Sequence, residues 1–204
     1  MRIVAKLEKD GVSRLILNTL GMSIRKIEPF YNVLEIGFGD KNSVKISDSA
    51  ISISIDKSNA FLMEKDEKAI KAIVLKLVAL AEAKRLGISV PFVEEIVSNR
   101  ELIKDGCGDE LFYYYYLQLS NDEKEADFEK FLEISIPWLS FATLDASHSD
   151  FLFDLSKTFN YRKEYEPMAK DFFEKVKKMK KTDAHAVAKA CISLMSRANA
   201  VQNK

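Results

Sequence analysis

The hydrophobic pattern of this chain changes period near residue 60, and that change limits the folds open to it. Ahead of it the pattern runs in twos. Ala50-Ile51-Ser52-Ile53-Ser54-Ile55 alternates β-branched residues with serine, and Leu34, Ile36 and Phe38 alternate in the same way. Alternation puts every second side chain on one face, the mark of a strand with one buried side. Gly39-Asp40-Lys41-Asn42 supplies a turn into a further strand around Val44-Lys45-Ile46, and Ile3 to Leu7 and Val12 to Leu17 are weaker strand candidates.

From Glu64 onward the period becomes helical. Ile70, Ile73, Val74, Leu77, Leu80 and Ala81 form an apolar stripe, with Gly87 as its stop. Ser89 and Pro91 suit the start of a second helix that carries Phe92, Val93, Ile96, Leu102 and Ile103 up to Gly106. A third begins at Asp109 and ends near Ser120-Asn121, and further helices are expected at about 122–134, 137–145, 149–160, 165–180 and 183–201, with Pro137 and Pro167 breaking or starting them. The expected fold is α+β. A small, mainly antiparallel sheet (about 1–57) and helices (about 64–120) make one domain, and an all-helical portion (121–204) packs on it as one compact unit. Phe128, Phe131, Leu132, Trp138, Phe141, Phe151, Phe153, Phe172 and Phe173 are expected to fill the later core.

The run Tyr113-Tyr114-Tyr115-Tyr116 singles out one helix. Side chains on a helix advance by about 100° per residue, so four consecutive phenols point all around it. Such a helix is either buried centrally or turns one phenol toward a cleft or contact surface. Composition adds exclusions. In 204 residues, 31 Lys and Arg balance 31 Asp and Glu, which gives no global reason to expect nucleic acid or an anionic membrane. Two distant cysteines, Cys107 and Cys191, make no metal-ligand spacing and point to a reducing compartment. The early charges of Arg2, Lys6 and Glu8 do not suit a signal peptide, and no apolar run approaches the roughly 20 residues of a spanning helix. A cytoplasmic protein is expected.

Candidate chemistry is sparse. His148, in Asp145-Ala146-Ser147-His148-Ser149-Asp150, suits a general base or a metal ligand, but capping by Ser147, Ser149 or Asp150 accounts for the whole cluster. His185 follows Asp183, a ready cap. Cys107, between two glycines ahead of a helix, has the setting of an activated thiol, opposed by Asp109 and Glu110. Glu94, Glu95, Asn99, Arg100 and Glu101 form the densest polar set, and a carboxylate presented to a cleft competes there with an exposed ion-pair face. Lys175-Val176-Lys177-Lys178-Met179-Lys180-Lys181 is read as a solvated lysine face, with nucleic-acid binding as the minor alternative.

Sheet, long helix, and then Pro91-Phe92-Val93-Glu94-Glu95-Ile96 resembles the layout of small zincin-type metallopeptidases, where the matching helix of the gluzincin group supplies a glutamate zinc ligand. Asn99-Arg100-Glu101 through Gly106-Cys107-Gly108-Asp109-Glu110 and the tyrosines resembles a family of uncharacterised archaeal proteins. A zincin carries His-Glu-x-x-His on the long helix. The resemblance puts Lys76 and Leu80 at those ligand positions, in Ile73-Val74-Leu75-Lys76-Leu77-Val78-Ala79-Leu80, and so implies a scaffold without a metal site.

These readings lead to a non-catalytic interaction or scaffold module, with no cofactor and no metal, that binds a protein or small-molecule ligand beside the tyrosine helix through Tyr113, Tyr114, Tyr115, Tyr116, Glu94, Glu95 and Arg100. A homodimer is compatible with an exposed tyrosine. The alternative is a hydrolase using Cys107 or Glu94 and Glu95 with His148.

Overall fold

The structure is a computed structural model and describes residues 1–8, 10–85, 87, 91–122, 124–142, 144–178 and 193. The fold is α+β: a four-stranded mixed sheet precedes a helical C-terminal half. By its contacts the chain divides into two compact units, residues 1–85 with 101–114, and residues 86–100 with 115–204.

In the first unit, β1 (Arg2–Lys6) leads into α1 (Gly11–Ser23). Two short 3-10 turns, Ile24–Lys26 and Glu28–Phe30, then carry the chain to β2 (Val33–Gly39), β3 (Ser43–Ile46) and β4 (Ala50–Asp56). The strand order is β1-β2-β4-β3; β1/β2 and β2/β4 are parallel, and only β3/β4 is antiparallel. The sheet is therefore mostly parallel, not mainly antiparallel as the sequence reading had it. For β2/β4 the reason is that β4 lies between β2 and β3, with β3 as the return strand on its far side; for β1/β2 it lies in α1. Val12 to Leu17, expected as a strand, is helical, because Asp10 accepts from the Ser13 N–H at 2.7 Å and Ile16, Thr19 and Leu20 bury one helical face. That helix is the crossover that a parallel pair requires, and without it β1 and β2 read as a simple meander.

The period-two pattern itself holds. Leu34, Ile36, Ile51, Ile53, Ile55 and Val44 are buried on one face, while Ser52 on the other is exposed. Alternation reports one-sided burial, and one-sided burial is commoner in antiparallel sheets. A Cβ at Gly39 would meet Ser54 Oγ on the neighbouring strand, so a larger residue there requires the serine hydroxyl to turn away. After the short α2 (Ala60–Met63), α3 (Glu67–Arg85) packs on β3, β4 and α1, with Ile70, Ile73, Val74, Leu77 and Ala81 buried. The first unit also contains the C-terminal end of α4 (Pro91–Lys104) and the start of α5 (Gly108–Asn121).

The link from α4 to α5 is built by a glycine with φ +84°, Gly106. The Gly106 N–H donates to the Ile103 carbonyl at 3.1 Å and the Cys107 N–H to the Leu102 carbonyl at 3.0 Å, the paired bonds of a Schellman cap. The Cys107 carbonyl then accepts from Leu111 N–H at 3.3 Å, so one residue closes α4 and opens α5.

The second unit holds the rest of α4 and α5 with α6 (Phe128–Phe141), α7 (Ala146–Ser156) and α8 (Tyr165–Lys178). Its core gathers Phe128, Phe131, Ile134, Trp138, Leu139, Phe141, Leu152, Phe159 and Tyr165. Pro137 lies inside α6 and does not end it. The hydrogen bond it cannot donate would have gone to the carbonyl of Glu133, an exposed position where water can serve that oxygen. Phe151, expected in the core, is 49% exposed, because its place on α7 is one step away from buried Leu152. The expected cap Ser89, the 183–201 helix, His185 and Cys191 lie outside the described residues. So does the end of the lysine cluster; Lys175, Lys177 and Lys178 are placed only as α8 backbone. Among the described residues no helix is long and apolar enough to cross a membrane.

Candidate functional site

The tyrosine run is shared out by helical geometry. In the second unit Tyr115 is buried, and its hydroxyl accepts from Asn99 Nδ2 at 2.7 Å and donates to Glu95 Oε1 at 2.9 Å. Asn99, fully buried, also donates to Ser140 Oγ at 3.1 Å, and Ser140 passes its own hydrogen to the Ile136 carbonyl at 2.6 Å. Arg100 donates from Nη1 to the carbonyls of Ser140 (3.2 Å) and Ala142 (2.7 Å), at the C-terminal end of α6 where a cation meets the negative end of the helix dipole. The spacing Glu95–Asn99 puts both side chains on one face of α4, and Tyr115 bridges them. Glu94 is also buried, at 4% exposure. Tyr116 is 40% exposed and packs against Phe151 with ring centroids 6.0 Å apart.

In the first unit Tyr113 donates to Asp66 Oδ2 at 2.9 Å, while Asp66 Oδ1 caps α3 by accepting from Ala69 N–H at 3.0 Å. Tyr114 is buried, meets Phe61 edge-on at 5.8 Å, and takes the Lys76 ammonium over its ring at 4.6 Å. Lys76 is thus engaged with an aromatic face, an attraction worth about 0.5–2 kcal/mol. Among the described residues no three His, Cys, Asp or Glu side chains come together to hold a metal ion.

The same unit contains a cavity of about 480 Å³, within the usual range for small-molecule pockets. Met22, Leu75, Val78, Ala79 and Leu102 supply its apolar wall, and Cys107 lies beside Leu102 in the Schellman cap. Thr19 and Ser23 line it too, but their hydroxyls donate back to their own helix, Thr19 to the Leu15 carbonyl at 2.9 Å and Ser23 to the Thr19 carbonyl at 3.0 Å. Their polar atoms are thereby occupied and the wall gains hydrocarbon character. The ionisable lining is Arg25, Lys71, Glu82, Glu101, Asp105 and Glu110.

Sequence reasoning singled out Cys107 and Glu101 and set Glu110 beside Cys107, but did not bring them together or find the other side chains of this cavity. One signal was present: Leu75, Val78 and Ala79 are apolar residues beside the core stripe of α3, so that helix is apolar around more of its circumference than one buried face needs. The partners from α1 had no signal, since that segment read as a strand.

The remaining candidates have structural duties. His148 stands in the first turn of α7, where Asp145, not one of the serines or Asp150, is the cap, accepting from the His148 N–H at 3.1 Å. The second oxygen of Asp145 is 2.7 Å from His148 Nδ1, and the imidazole meets Phe141 edge-on at 5.5 Å. Ser149 donates to the Trp138 carbonyl at 2.9 Å. Cys107 belongs to the first unit and His148 to the second. No family model, no curated protein and no solved structure matches this chain.

Proposed function

We propose that this chain is a non-catalytic binding module whose ligand site is the cavity of the first unit. The observation that carries the reading is a cavity of about 480 Å³ with an apolar wall and charged groups among its lining, the composition of a site that encloses a ligand and orients it. It relocates the expected site from the phenols of the tyrosine helix to the Cys107 turn ahead of them. Supporting it, two of the groups named for a hydrolase have other work: Glu95 accepts from Tyr115, and His148 is held by its cap. The engagement of Lys76 with Tyr114 likewise supports reading the metallopeptidase-like layout as a scaffold without a metal.

The test uses 4-phenylbutanol, a neutral probe small enough for this volume. Saturable binding is expected, with NMR shifts centred on Leu75, Val78, Ala79 and Leu102 and a slower alkylation rate of Cys107 measured by peptide mapping. Leu75→Trp should abolish both effects while leaving the melting temperature within a few degrees. Shifts that leave these residues unmoved, or binding unaffected by Leu75→Trp in a folded variant, would overturn the proposal.

A further inference from the structure

The cavity also carries information about the charge of what it holds. Carboxylates outnumber cations in its lining, with Glu82, Glu101, Asp105 and Glu110 against Arg25 and Lys71. Lys104 lies 3.2 Å from Glu101 Oε1, and counting it still leaves four carboxylates against three cations. Backbone dipoles add to the imbalance. Three helix ends contribute to the lining: the C-terminal end of α1 through Met22 and Ser23, the C-terminal end of α4 through Leu102, and the N-terminal end of α5 through Glu110. Two of the three are C-terminal ends, the negative end of the dipole, and the positive end carries Asp109 and Glu110 in its first turn. Against an apolar wall such fields act over a shorter path of water and are less screened than on an open surface.

We infer that the ligand is an organic cation: an apolar body carrying an amine or quaternary ammonium group. An anionic ligand of the same shape would meet the carboxylates and the negative ends of two helices. This inference rests on the cavity being the binding site, and the probes are chosen to separate the two claims. Three near-isosteric molecules differ only in head group: 4-phenylbutylamine, 4-phenylbutanol and 4-phenylbutanoate. Their affinities should follow that order at low salt, with the amine at least about fivefold tighter than the carboxylate and the gap narrowing as salt is raised. Glu82→Gln and Glu110→Gln, which keep side-chain size, should together weaken the amine about threefold or more relative to the alcohol. Equal binding of all three would overturn the cationic ligand while the cavity stands as a site. Tighter binding of the carboxylate would do so more strongly. Binding of none would overturn both claims.

Discussion

Tyr115 and Asn99 hold each other in the interior of the second unit: the amide donates to the phenol oxygen at 2.7 Å, and the phenol hands its own hydrogen to Glu95 at 2.9 Å. The phenol therefore serves as acceptor and donor at once, which phenylalanine cannot imitate. Tyr115→Phe should destabilise the protein by about 1–3 kcal/mol, because buried polar partners are left short of a bond. Adding Asn99→Leu should cost less than its single-variant value, since the amide that Tyr115→Phe leaves without its phenol acceptor is then gone as well. Urea denaturation of the four proteins checks this. Strict additivity would mean that the contact contributes nothing of its own.

Asp66 serves two elements of the first unit, capping α3 with one oxygen and receiving Tyr113 with the other. Asp66→Ala should cost about 1–2 kcal/mol and Tyr113→Phe about 0.5–1.5 kcal/mol. The double variant should be little worse than Asp66→Ala, and calorimetric melting would expose a sum larger than that.

Gly106, at φ +84°, holds the Schellman cap that places Cys107 and Leu102 at the cavity. Gly106→Ala puts a Cβ in the left-handed region and should cost about 1–2 kcal/mol. The same variant should weaken 4-phenylbutanol binding, whereas Gly106→Asn, which tolerates that region better, should retain more of both stability and binding.

Asp10 caps α1, and the Ser13 backbone N–H it accepts holds its carboxyl below the ordinary value of 3.8. A carboxyl whose folded pKa is depressed contributes fully above its unfolded pKa and loses that contribution as pH falls through the folded one. Stability should therefore decline below about pH 4 by an increment that Asp10→Asn, which accepts the same bond without titrating, does not show. Parallel acid melts of the two proteins measure it.

Particular elements show why some of this was legible and some not. The strands at Leu34 to Phe38 and Ala50 to Ile55 and the helix at Ile70 to Ala81 were readable because a one-sided burial pattern is written locally, residue by residue. Val12 to Leu17 misled, since in six residues the periods of strand and helix overlap, and the cap that decides the matter, Asp10, lies outside the run. Losing that helix lost the crossover, and with it the parallel pairing of β1 with β2. For the site, Cys107 was visible through its glycines, but its neighbours Thr19, Met22, Leu75 and Ala79 are far from it along the chain.

The sequence by itself determined the α+β class, the order of most elements, and the importance of the tyrosine helix, because period, caps and glycine stops act over a few residues. Only the tertiary structure decided the strand order, the separate fates of Tyr113, Tyr114, Tyr115 and Tyr116, and the cavity. Each of those depends on which distant side chains meet, and a helix that points phenols in all directions cannot say which direction will find Asp66, Lys76, Asn99 or solvent.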